Sequence, residues 1–137
     1  MGPSSKRLAG ILFIVLPTVA FGGVSLLTMI VGQEPGYLDN PVRQDLWRAG
    51  HAQAGVLLIL SLVILRYVDE AKLSGFWKGV ARNGVPLCAI LIPFAFFFSV
   101  LSPAAKEPNS LTYLAYAGFE ILALTLIVLG IGLLRKL

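Results

Sequence analysis

The sequence predicts an all-α four-helix transmembrane bundle with both termini in the cytoplasm. Of the 137 residues, 57% are hydrophobic and 13% are charged, and the mean hydropathy is +0.84. A soluble domain carries about 25% charged residues, so this composition is typical of a protein surrounded by lipid. Four apolar stretches of about 19 to 24 residues can each cross a hydrocarbon core of about 30 Å. They do not alternate in polarity, which excludes the strands of a barrel.

The first stretch, residues 8–31, follows Lys6 and Arg7. Its length of about 24 residues exceeds the apolar core of a secretory signal, and no Ala-x-Ala site follows, so we interpret it as a retained helix. Pro17 inside it removes one backbone hydrogen bond and predicts a kink. Pro93 in the third stretch does the same, and the sequence leaves open whether either proline packs or acts as a hinge.

The second stretch is residues 46–65, but its helix is predicted to begin earlier. Asn40-Pro41 is typical of an N-cap followed by proline at the first helical position. Small residues such as Gly50 and Ala54, spaced four apart, predict close helix packing here. Gly22-Gly23 in the first stretch and Gly118 in the fourth predict the same.

The third stretch, residues 84–102, follows a polar connection in which Asp69-Glu70 is interpreted as a solvated pair. The fourth is residues 111–134. Four phenylalanines cover several faces of the third helix, so part of the group must contact lipid or a partner protein. This predicted contact surface consists of Phe94, Phe96, Phe97 and Phe98.

The basic residues predict the orientation. Cytoplasmic connections are enriched in Lys and Arg, and eight of the 11 such residues fall on one side of the four stretches. These eight are Lys6, Arg7, Arg66, Lys72, Lys78, Arg82, Arg135 and Lys136. We therefore expect a multi-pass protein of a bacterial-type cytoplasmic (inner) membrane.

One polar cluster is predicted within the membrane. Glu120 lies about nine residues into the fourth stretch, roughly 13 Å deep, and an ionisable group at that depth needs a partner. Tyr116 shares its face, and Arg48 and His51 share a face of the second helix. A bundle bringing these four together would form either a structural clamp or an outward-opening pocket. In the pocket, His51 and Glu120 could exchange a proton while Arg48 holds an anion.

Other chemistry finds no support in the residue types. One cysteine and one histidine give no disulfide, metal or haem ligand set, so we expect no metal and no cofactor. No nucleophile motif, phosphate loop or pair of carboxylates at useful spacing occurs, and no catalytic residue is assigned. The net charge of +4 reflects membrane orientation and does not indicate a nucleic-acid partner.

The segment Leu46-Trp-Arg-Ala-Gly-His-Ala-Gln-Ala-Gly resembles one in small four-helix membrane proteins of mycobacteria and related actinobacteria. By size and span number the chain also resembles the LucB-type accessory subunit of Mce lipid transporters. It is similar, too, to the hydroxylaminobenzene mutase family, in which His51 would match a histidine opening the second helix. Gln53 stands where that family has an acidic residue.

The function expected first is a non-catalytic accessory or stabilising subunit of a larger membrane assembly, such as a lipid transporter. Its expected partners are other integral membrane subunits and lipids. Two alternatives stay open. One is a membrane-embedded enzyme using His51 and Glu120 on a small or lipid-like substrate. The other is an oligomeric transporter or channel for a small solute.

Overall fold

The chain folds as an all-α bundle, as predicted. The computed structural model describes residues 1–135, in which no strand occurs. The helices are α1 (Pro3–Val31), α2 (Pro41–Tyr67), α3 (Gly75–Phe98) and α4 (Tyr113–Leu134), with a 3₁₀ turn at Ser110–Thr112 before α4. Each of the four is long and apolar enough to cross a membrane, which fits a multi-pass membrane protein.

The start of α2 confirms the capping signal. The helix begins at Pro41, and the side chain of Asn40 accepts a hydrogen bond of 3.2 Å from the backbone N–H of Arg43. This bond satisfies one of the N–H groups that a helix start leaves without a partner, while proline there lacks an N–H to satisfy. The apolar stretch that begins at residue 46 is therefore the inner part of a longer helix.

Helix α3 extends beyond the third apolar stretch at one end and stops short of it at the other. Helix α3 begins at Gly75, nine residues before the apolar stretch, and ends at Phe98 instead of continuing to 102. Its first turns carry Lys78 and Arg82, whose charges are balanced by Asp69 just before the helix. Because these side chains have a partner nearby, the polar residues before the apolar stretch are part of the helix. The connection between α2 and α3 is therefore only residues 68–74.

The helices run up and down, so the loops gather at two ends. At one end the backbone N–H of Lys72 donates to the carbonyl of Gly132 over 2.9 Å, and Arg82 donates to the Ser5 hydroxyl over 3.2 Å. We call the end with these two hydrogen bonds the basic end. It contains seven of the eight cations used to predict the orientation, and the eighth, Lys136, lies outside the described residues. The α1–α2 and α3–α4 loops form the loop end, where Asn40 donates to the carbonyls of Pro103 and Ala105.

The core is centred on α2 and α3. Helix α1 packs against α2, α2 against α3, and α3 against α4. Small residues let these helices approach, as predicted. A Cβ on Gly50 would lie 3.0 Å from the Cβ of Phe96, and one on Gly118 would lie 2.5 Å from Cγ1 of Ile92. Among the described residues, α1 contributes only Leu12 to the buried core cluster and α4 only Leu129.

Candidate functional site

Glu120 lies on the outward face of α4. The helix buries Ala115 and Gly118 toward α3, and Glu120 follows Gly118 by two positions. At 100° per residue it points about 200° away from that buried stripe. The side chain is accordingly exposed, about 10 Å along the helix from its first residue, Tyr113.

Two tyrosines flank this carboxyl on the same face. Tyr113 and Tyr116 are 70% and 65% exposed, and their ring centroids lie 6.1 Å apart. We call Tyr113, Tyr116 and Glu120 the outer face of α4. It is a polar patch on a helix whose other exposed residues are almost all apolar.

His51 has a different neighbour. Its ring lies on α1, where a Cβ on Gly22 would be 3.4 Å from Nδ1 and one on Gly23 would be 3.2 Å from Nε2. The two glycines therefore give the imidazole room against the α1 backbone. Arg48, one turn earlier on α2, is exposed.

The structure does not assemble the predicted cluster of Arg48, His51, Tyr116 and Glu120. His51 packs against α1 and Arg48 is exposed on α2, while Tyr116 and Glu120 face outward from α4. Helix α3 packs between α2 and α4. Within the described residues no hydrogen bond or ion pair joins the two pairs. The physical reason is the rotation of α4, because its small residues must face α3 for the helices to approach. The shared face of Tyr116 and Glu120 was predicted correctly, but its direction was not.

The predicted phenylalanine surface divides into two pairs. Phe96 and Phe97 are half-buried against Gly50 of α2, so part of their surface packs inside the bundle. Phe94 and Phe98 are about two-fifths exposed and stack on each other with centroids 4.5 Å apart. This second pair is the more exposed of the two.

Arg43 is the principal polar residue that the sequence analysis missed as a site. It is buried at the loop end, where Nε donates to the carbonyl of Val100 over 3.0 Å and Nη2 to that of Leu101 over 3.1 Å. Nη1 donates to the carbonyl of Gly36. The guanidinium also lies 4.1 Å above the ring of Trp47, a favourable cation–π distance. One side chain thus joins the two loops of this end.

Asp69 has the matching role at the basic end, which corrects its interpretation as a solvated residue. Its carboxylate accepts from the backbone N–H of Gly2 over 2.7 Å and from Arg82 over 3.1 Å, and Lys78 lies 3.7 Å away. Hydrogen bonds from Gly2, Ser5 and Arg82 lower the pKa of Asp69 from 3.8 to about 2. Glu70, by contrast, is exposed, as predicted, and it pairs with Arg66 four residues earlier.

The contacts of Arg43 and Asp69 both hold neighbouring segments of the chain together. Arg43 and Asp69 each bind backbone groups or charges of neighbouring segments, and both are satisfied within the chain. The segment 1–135 contains no group of three or more His, Cys, Asp or Glu side chains placed to hold a metal ion. Glu120 differs from Arg43 and Asp69, since its side chain is exposed on the face of α4 that points away from α3.

Comparison of the chain with protein-family models, curated proteins and solved structures found no match.

Proposed function

We propose that this chain is a non-catalytic accessory or stabilising subunit of a larger membrane assembly, which it joins through the outer face of α4. The observation that carries the proposal is the outward direction of Glu120. A charged side chain at the centre of a membrane helix costs roughly 3 kcal/mol on insertion scales, and such residues generally face protein. A neighbouring helix from another subunit would remove this cost.

The outer face also defines the chemistry of the partner. A carboxylate accepts hydrogen bonds, and two tyrosine hydroxyls beside it can donate or accept. The complementary helix would present a donor, an arginine, lysine or amide, at the same depth as Glu120. Helix association in lipid depends on packing and such interhelical hydrogen bonds, because burial of apolar surface gives no advantage there.

The proposed assembly is a lipid transporter, on the basis of the resemblance to LucB-type subunits. The enzyme alternative requires His51 and Glu120 to act on one substrate, and the two lie on faces separated by α3. This separation favours the accessory function over that alternative.

The test is a pull-down from native membranes in a gentle detergent, with a tag on the C-terminus and mass spectrometry of the companions. Wild type should retain other membrane subunits at a fixed ratio. Glu120→Leu should reduce them about tenfold or more, the effect of losing roughly 1.4 kcal/mol of interaction. Glu120→Gln, which keeps a hydrogen-bonding group, should retain an intermediate amount.

The control is Leu126→Ile, a conservative change at an exposed position that lies about 120° around α4 from Glu120. It should leave the companions unchanged. Recovery of wild type as a monomer, with Glu120→Leu indistinguishable from it, would show that the outer face contacts lipid and would refute the proposal. A homo-oligomer without other subunits would also refute it and would favour the transporter alternative.

A further inference from the structure

A groove runs between α3 and α4 from the basic end toward the middle of the bundle. Its volume is about 700 Å³, within the range of small-molecule sites. On α3 its lining extends from Gly75 to Leu87, a rise of about 18 Å at 1.5 Å per residue. This length is close to the depth of one leaflet, about 15 Å for a hydrocarbon core of about 30 Å.

Missing side chains on α3 open the groove. A Cβ added to Gly75 or Gly79 would meet nothing within 4 Å, so neither glycine serves a close approach of helices. Gly84, deeper in the groove, differs, since its Cβ would lie 2.0 Å from the hydroxyl of Thr125. Glycine in a helix interior costs about 1 kcal/mol relative to alanine. At Gly79 no packing within the chain offsets this cost.

A polar atom in the groove also lacks a partner. The hydroxyl of Thr125 is fully buried, lines the groove, and makes no hydrogen bond within the described part of the chain. Most other lining groups are apolar, including Leu87, Ile121 and Leu124. The groove therefore suits a long apolar chain.

The groove opens toward the basic end, where positive charge is in excess. Among the described residues the basic end has seven cations and only two carboxylates, Asp69 and Glu70. Lys72, three residues before α3, is exposed and has no carboxylate within salt-bridge distance in residues 1–135. The N-terminus of α3 at Gly75 adds partial positive charge, since the side chain of Ser74 makes no capping bond there.

We infer that this groove binds one acyl chain of an anionic glycerophospholipid, with the headgroup at the mouth beside Lys72 and the start of α3. The chain lies along the surface that Gly75 and Gly79 leave open. The negative headgroup compensates the excess positive charge of the basic end. This inference does not rest on the proposed subunit contact, because none of Tyr113, Tyr116 and Glu120 lines the groove.

The test is native mass spectrometry of the full chain released from detergent micelles that contain equal amounts of phosphatidylglycerol and phosphatidylcholine. Wild type should retain one phosphatidylglycerol in preference to phosphatidylcholine. Gly79→Leu fills the groove and should abolish this retention. Gly130→Leu is the matched control, because its Cβ also meets nothing within 4 Å but it does not line the groove; it should retain the lipid.

A second variant tests the headgroup without changing the helix. Lys72→Gln should lower the preference for phosphatidylglycerol about fivefold, the effect expected of one basic residue near an anionic membrane surface. Because it alters only an exposed side chain, it keeps the test decisive if Gly79→Leu fails to fold. Equal retention of both lipids by wild type, or undiminished retention by folded Gly79→Leu, would overturn the inference.

Discussion

Replacement of Asp69 by asparagine should destabilise the bundle by about 2 kcal/mol at pH 7. The pKa of this carboxyl falls from 3.8 to about 2 on folding, and each unit corresponds to roughly 1.4 kcal/mol. Its side chain is only 19% exposed, so solvent does not screen most of this interaction. Asparagine keeps the shape but removes the negative charge from Gly2, Lys78 and Arg82.

The effect should depend on pH with a defined sign. Since the folded pKa is below the unfolded one, the stabilisation is fully present above about pH 4 and is lost as the pH falls through about 2. Unfolding by SDS in dodecylmaltoside micelles, followed by circular dichroism at several pH values, measures it. The curves of wild type and Asp69→Asn should differ at pH 7 and converge near pH 2.

The matched control is the neighbouring carboxyl. Glu70→Gln breaks only an exposed pair with Arg66 and should give no measurable change, as for most surface ion pairs. Equal stability of Asp69→Asn and wild type at pH 7, or a difference that persists at pH 2, would refute the conclusion that the ionised carboxylate of Asp69 stabilises the basic end.

Three further predictions follow from packing, burial and charge. Arg43→Met leaves three loop carbonyls without their donor and should lower the free energy of unfolding by about 3 kcal/mol in the same SDS assay. Arg48→Met, at an exposed position, should leave it unchanged, and equal effects of the two variants would contradict the difference in burial. Gly84→Ala places a methyl group against the Thr125 hydroxyl of α4 and should lower the free energy of unfolding by about 1–3 kcal/mol. Gly130→Ala should stabilise the protein or leave it unchanged, and a neutral Gly84→Ala would show that the helices can separate freely. A cysteine replacing Lys106 should react with an impermeant maleimide outside intact cells, and labelling only after lysis would reverse the predicted orientation.

Local signals made part of the fold predictable. The start of α2 followed from Asn40-Pro41 because capping depends on residues three apart. The start of α3 was missed because Lys78 and Arg82 look like a loop by composition. What holds them in a helix is a carboxylate from before the helix, and composition does not reveal such a pairing.

In the candidate site, too, the features set by local sequence were predictable and those set by contacts between distant segments were not. Helical spacing placed Tyr116 and Glu120 on one face, since the period of an α-helix is fixed. Their direction depends on which side of α4 meets α3, and that is decided by Ala115 and Gly118 together with the surface they contact. Arg43 escaped prediction because two of its three carbonyl partners lie 57 and 58 residues further along the chain.

The attachment of α1 has a consequence for biosynthesis. Its end is tied to Asp69, which follows Gly2 by 67 positions, so α1 is made well before its docking site. At about 5 to 20 residues per second the delay is roughly 3 to 13 seconds. Meanwhile the hydroxyls of Thr18, Ser25 and Thr28 donate to carbonyls of their own helix. Because α1 satisfies these groups itself, it needs no neighbouring helix to remain in lipid until the rest of the chain has been synthesised.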